Sequence, residues 1–276
     1  FYSDKNIGYV THLNKGIEQA KGEFIARMDS DDIALPTRFE IQLKYLLESA
    51  HIDIVGSAAI LINEEGDELR ISYQETDPAF IKWALFFYNP LFHPSLLIRK
   101  IFFEKNGVYD ITMQPAEDRD MWLRGFYNTE FSNIHEPLIK YRVHSQSISN
   151  AKQQIQISKS ESALLMQYRK FLGIDLPSEY ISFFREFRRR DVDISLLNGD
   201  VLFSTIRVLK KKFFKANKSK LTKATRKKIN KDTFTKLLYI GVTKMKQKEF
   251  SGVKVLCYLA FIYPILFSLF IFKKIL

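Results

Sequence analysis

The stretch Phe24-Ile25-Ala26-Arg27-Met28-Asp29-Ser30-Asp31-Asp32 decides how this chain is read. Its first five residues predict a mostly buried strand, and its last four put three carboxylates on the loop at the strand's C-terminal end. Side chains alternate along extended backbone, so Asp29 and Asp31 can face one ligand. Left unpaired, the three carboxylates would repel one another, and a divalent cation that takes hard oxygen donors, manganese or magnesium, would resolve that repulsion. The alternative is an exposed acidic turn that caps the helix beginning at Pro36. An EF-hand is excluded, because the glycine and distal glutamate it needs do not follow.

Outward from this stretch, helices and strands alternate. Upstream, Leu13, Ile17 and Ala20 recur at helical spacing from a Thr11 cap, and Gly22 marks the stop. Downstream, Pro36 suits a first helical turn, and Phe39, Leu43, Leu46 and Leu47 give that helix an apolar stripe to bury. Residues 52–62 read as a strand, Glu65-Gly66-Asp67 as a turn, Asp77-Pro78 as the opening of an aromatic-rich helix, and Leu96-Leu97-Ile98 as another strand. Glu117 and Asp118 begin an amphipathic helix with Met121, Trp122 and Phe126, and a strand follows near Leu138 to Val143. This order predicts an α/β domain of layered helices and mixed sheet, with Trp83 and Trp122 in its core.

A carboxylate in a first helical turn gains from the helix dipole and stays ionised, so Asp118, with Glu117 beside it, is a candidate proton acceptor. Helix capping is the competing explanation. Arg142 offers a fork of donors to a phosphate, and His144 an imidazole to a metal. His93 receives no chemistry beyond a place near an acceptor.

In order and spacing these pieces resemble glycosyltransferase family 2, whose members have the GT-A fold. The resemblance runs over residues 6–149. It rests on Asn6-Ile7-Gly8, Leu13-Asn14-Lys15-Gly16-Ile17, Ala20-Lys21-Gly22-Glu23, Ile25 through Asp32, His93-Pro94-Ser95, Ala116-Glu117-Asp118 with Asp120-Met121-Trp122-Leu123-Arg124, and Tyr141-Arg142-Val143-His144. It implies inverting transfer from a nucleoside-diphosphate sugar, a UDP-sugar first among them, to a glycan or lipid-linked acceptor in cell-surface polysaccharide synthesis. By the same resemblance Asp29 contacts the donor, Asp31 holds the metal, Asp32 is a weaker donor contact, Asp118 is the general base and Glu117 its neighbour. Asn14 and Lys15 match a helix beside the nucleotide, and His144 a late ligand of metal or diphosphate. Family members begin with a strand, a turn and a second strand upstream of Asn6, so with its start at Phe1 the chain is expected to be a piece of a longer protein.

The net charge of +11 is uneven, because residues 207–254 are rich in lysine and carry only Asp232 and Glu249 as acids. Such a tail calls for a polyanionic partner, nucleic acid or an anionic membrane surface. Residues 255–272 contain no charged side chain and would span about 27 Å as a helix, marginal against a hydrocarbon core of about 30 Å. Pro264 would kink that helix, and Lys254, Lys273 and Lys274 could reach head groups. The expected organisation is therefore a partial GT-A domain over 1–149, a lysine-rich helical extension over 150–252, and an apolar membrane-associating helix over 253–276. Peripheral attachment at the inner face of the membrane, with the catalytic part in the cytoplasm, is the expectation, and a buried hairpin its alternative. One cysteine, Cys257, excludes an internal disulfide. A non-catalytic polyanion-binding protein is the rival reading; it leaves Asp29, Asp31 and Asp118 unexplained, and nucleic acid ranks below the membrane as a partner.

Overall fold

The computed structural model describes residues 7–143, 152–187 and 193–275. His144, expected as a late ligand, lies outside them. Six strands, β1 (Phe24–Ala26), β2 (Ile33–Ala34), β3 (Ile54–Ile62), β4 (Glu68–Ser72), β5 (Leu97–Arg99) and β6 (Phe131–Arg142), form one mixed sheet. Its order is β1-β5-β3-β6-β2, with β4 paired to β3. β3 and β6 run parallel from the Ile54–Phe131 pair to the Ile62–Arg142 pair, with an irregularity around Ala58; the other pairings are antiparallel. Buried on both faces, β3 reads as the apolar run Ile54-Val55-Gly56-Ser57-Ala58-Ala59. Gly56 is required there, since a Cβ would lie 2.3 Å from Asn133 Oδ1 and 3.1 Å from Ser95 Oγ.

Two sequence expectations need correction. β1 was expected to be mostly buried, but it ends the strand order and pairs only with β5 among the described residues, which leaves Ala26 exposed. The helix after the acidic loop, α2 (Arg38–Glu48), starts past Pro36 and buries Arg38, Gln42 and Leu46, while Phe39, Leu43 and Leu47 face outward. The reason is a polar network. Arg38 donates from Nε to Gln42 Oε1 (3.1 Å) and from Nη2 to the carbonyl of Arg27 (2.7 Å), and Gln42 Nε2 donates to the carbonyls of Ser95 (2.7 Å) and Val55 (3.2 Å). Strand ends that need donors recruit the polar side of the helix, and the apolar stripe is left outside.

The other helices of this part follow the sequence more closely. α1 (Tyr9–Gln19) begins after Gly8, whose φ of 85° suits glycine, rather than at Thr11. α3 (Pro78–Ala84) is capped by Asp77, which accepts from the Ala79 and Phe80 amides. α4 (Ile101–Asn106) and α5 (Glu117–Arg124) complete the flanking layers, and Trp83 and Trp122 are fully buried as expected. A mixed sheet flanked by helices is thus present.

The chain divides into two compact units, residues 1–85 with 89–164 and residues 86–88 with 165–276. α6 (Gln153–Leu172) starts in the first and ends in the second. The second continues with α7 (Ser178–Glu186), α8 (Gly199–Ala216), α9 (Lys223–Lys246), α10 (Phe250–Ile262) and α11 (Pro264–Ile275). Its core includes Tyr168 stacked on Phe184 at 5.4 Å. Its lysines are not all directed at solvent. Lys236 is buried beside Asp232 with its ammonium 4.1 Å from the Phe87 ring centre, and Lys244 is buried against Glu249 at 2.7 Å. The expected single apolar helix is two helices bent by 116° around Tyr263 and Pro264.

Candidate active site

Both candidate groups of carboxylates lie in the first unit. The acidic loop leaves β1, and β2 turns it back by pairing Ile33 with Lys140 and Ala34 with Ile139 of β6. Arg142, at the end of β6, clamps it: its amide donates to Asp32 Oδ1 (2.9 Å), its Nε to the Asp31 carbonyl (3.0 Å), and its Nη1 to the carbonyls of Asn63 (2.9 Å) and Glu64 (2.6 Å). Arg142 therefore shapes the loop through backbone oxygens. The carboxylates of Asp29, Asp31 and Asp32 offer oxygens that all lie within 4.8 Å of one another. Asp29 is held by a two-armed ion pair with Arg27, 2.6 Å on each arm. Asp32 is buried, and its Oδ2 has no hydrogen-bond partner. Burial pushes its pKa up to about 6, the Asp29 and Asp31 charges add to this, and the Arg142 amide opposes it. The loop does not cap α2, whose N-cap is Thr37.

The second group opens α5. Glu117 is buried and accepts from the Tyr9 hydroxyl (2.8 Å), which ties it to the first turn of α1. Asp118 accepts from Asn89 Nδ2 (2.7 Å) at one oxygen and from the Arg119 amide (2.6 Å) at the other. The N-cap is Ala116, so neither carboxylate occupies the capping position. The dipole argument expects both to ionise readily, but the environment works against it. Burial first, then the Asp118 charge, pushes Glu117 up to about 7, and burial likewise raises Asp118. Desolvation outweighs the partial charge of a short helix.

Arg27, which the sequence reading passed over, joins the two groups. It is paired with Asp29, and its charge lowers the pKa of Asp32, Glu117 and Asp118 alike, so both sets of carboxylates lie within electrostatic range of one guanidinium. The signal was available: Arg27 stands two residues before Asp29, on the same side of extended backbone. Tyr9 and Asn89 carried no comparable signal, because only the fold brings them to Glu117 and Asp118. Asn14 is spent elsewhere: its amide donates to the Tyr109 carbonyl (2.8 Å) and accepts from the Tyr109 amide (3.0 Å), clipping α1 in place. Lys15 is exposed on α1. His93 is buried, 2.8 Å from the Tyr109 hydroxyl and edge-on to Trp122, and burial holds its pKa well below the usual value. It belongs to the aromatic core.

The raised Glu117 makes a stability prediction. A carboxyl whose folded pKa exceeds its unfolded value near 4.5 adds stability at low pH, and this is lost as pH rises through about 7. Allowing for its interaction with Asp118, the parent should lose on the order of 2 kcal/mol between pH 5 and pH 8 from this group. Urea midpoints of Glu117→Gln should show a flatter profile over that range. An identical slope in parent and variant would remove the assignment.

Residues 1–105 match the family model described as Glycosyl transferase family 2. The O-antigen biosynthesis glycosyltransferase WbnJ of Escherichia coli is 36% identical over 139 residues, covering 49% of this chain and 53% of WbnJ. An uncharacterized glycosyltransferase of Methanocaldococcus jannaschii is 33% identical over 148 residues, covering 51% and 49%. The amylovoran biosynthesis glycosyltransferase AmsE of Erwinia amylovora is 32% identical over 149 residues, covering 53% and 54%. Among solved structures, S. aureus TarS 1-349 in complex with UDP-GlcNAc aligns with a TM-score of 0.48 at 15% identity, over 86% of this chain and 71% of that one. The chain spans about half the length of the curated relatives it matches. The part of the chain that carries the acidic loop is therefore similar to glycosyltransferase family 2.

Proposed function

We propose that the first unit transfers a sugar from a nucleoside-diphosphate sugar to a hydroxyl of a glycan or lipid-linked acceptor, with inversion. The observation that carries this reading is the cluster of Asp29, Asp31 and Asp32 oxygens within 4.8 Å of one another, in the same unit as the buried Glu117–Asp118 pair and with the Arg27 charge felt by both groups. The acceptor oxygen attacks the anomeric carbon, its proton passes to Asp118, and the bond from that carbon to the diphosphate breaks with its electron pair leaving on the diphosphate. One such displacement inverts the carbon. Asn89 orients Asp118, and burial makes that carboxylate a stronger base than an exposed aspartate. Arg27 Nε, buried and without a partner, leaves a donor available to an anionic ligand on the guanidinium that already holds Asp29.

The acidic loop fits a hard divalent cation, manganese or magnesium: its donors are all oxygens, they lie together, and the buried Asp32 Oδ2 lacks a partner. Asp31 would hold the cation, with Asp29 and Asp32 beside it. When bound, it supplies positive charge against the leaving diphosphate. The polysaccharide context of WbnJ and AmsE supports an acceptor of the cell surface, and a UDP-sugar is the first donor to test. Nucleoside diphosphate release by the protein is expected to need added manganese or magnesium, to stop with EDTA, and to fall about a hundredfold in Asp31→Ala. Release that survives both EDTA and the substitution would overturn the metal assignment.

A further inference from the structure

The second unit ends in a helix that is apolar on opposite sides. α10 turns Gly252, Val255 and Leu259 inward; a Cβ on Gly252 would lie 2.3 Å from the Met245 amide nitrogen, so the helix lies close against the end of α9. Its other side shows Phe250, 80% exposed, Val253, Cys257 and Phe261, 83% exposed, at spacings that share one helical face. Past the bend α11 adds Ile265 and Leu269, also exposed. The corner between them is fixed. Tyr263 is buried, its hydroxyl accepts from Lys210 Nζ at 2.6 Å, and its ring meets Phe234 edge-on at 5.8 Å. The packing of the corner therefore holds these helices in place with their apolar side chains exposed, and exposed apolar side chains gathered on one helical face, as on α10, mark an interaction surface.

Charge and length select the partner. Lys246 and Lys248 are exposed where α10 begins, Lys254 pairs with Asp200 at 2.8 Å, and the one acid of that segment, Glu249, is bonded to Lys244. Two copies meeting on this face would bring like charges together, whereas anionic head groups would neutralise them. α10 and α11 are each about 20 Å long, short of a hydrocarbon core of about 30 Å, and among the described residues no single helix is long and apolar enough to cross a membrane. We propose that the outward face of α10 and α11 is a docking surface for an anionic lipid bilayer, with both helices seated at the boundary between head groups and acyl chains. This holds whether or not the first unit transfers sugar, and it is tested without donor or acceptor.

Cys257 is the chain's one cysteine and lies on the face in question. An environment-sensitive fluorophore attached to it should shift to the blue on addition of phosphatidylcholine–phosphatidylglycerol vesicles, and the unlabelled full chain should float with them. Phe261→Glu with Ile265→Glu, at exposed positions, should keep the helical circular dichroism and lose flotation by about tenfold or more. Unchanged flotation of that variant, no shift with anionic vesicles, a shift caused by self-association alone, or a shift with an RNA homopolymer but not with vesicles would each overturn the proposal.

Discussion

Asp118→Asn is expected to lower the transfer rate by about 10²–10⁴-fold, the range that a positioned general base contributes, while donor binding stays largely intact. The substitution keeps the side chain's shape but removes the basic site. One asparagine oxygen can still accept from the Arg119 amide, so the start of α5 is preserved, and the loss of the Asn89 bond costs about 1 kcal/mol of stability. Donor affinity should hold because the loop that would bind diphosphate is built from β1, β2 and β6 and does not use Asp118. The measurement is a pair: turnover of donor with acceptor present, and donor binding by calorimetry. Full turnover in the variant would remove Asp118 as the base. Loss of binding and turnover together would show that it acts on the donor instead.

The parts of this site that were legible in the sequence are the local ones. Asp29, Asp31 and Asp32 fall within one four-residue stretch between β1 and β2, and Glu117 and Asp118 begin a helix, so adjacency alone placed them on the right elements. What holds the second pair was not legible, because Tyr9 and Asn89 reach Glu117 and Asp118 across the fold, Tyr9 over a separation of 108 residues, whereas Arg27 stands beside its partner Asp29. The same distinction explains α2. Counting apolar residues selects Phe39, Leu43, Leu46 and Leu47 as the inward face, a rule that holds when the surface beneath is apolar, and of the four only Leu46 is buried. Here the surface beneath is a row of strand-end carbonyls, and satisfying them outweighs burying the stripe. The tail shows a third case: Pro264 predicted a break, but its sharpness depends on Tyr263 packing into α8 and α9, which no local pattern reports.

Arg38→Met follows from that network and should lower the unfolding free energy by about 2 kcal/mol, near the cost of leaving buried acceptors without a donor. Arg38 is 1% exposed, and burial pulls its pKa down to about 10, so the guanidinium already carries a desolvation cost that methionine would relieve. Against that relief, the Arg27 carbonyl and Gln42 Oε1 both lose their donor in a place water does not reach. The second effect should win, because Gln42 cannot turn to serve Arg27 without abandoning the carbonyls of Ser95 and Val55. Urea unfolding of Arg38→Met, Gln42→Leu and the double variant would measure the coupling, and the pair should cost clearly less than the sum of its parts. A single-variant loss under about 1 kcal/mol would mean that the buried arginine is replaceable packing. The expected loss reaches the site as well: the carbonyl that Arg38 holds belongs to Arg27, and a looser Arg27 would leave Asp29 without its fixed partner and let the two acidic groups drift apart.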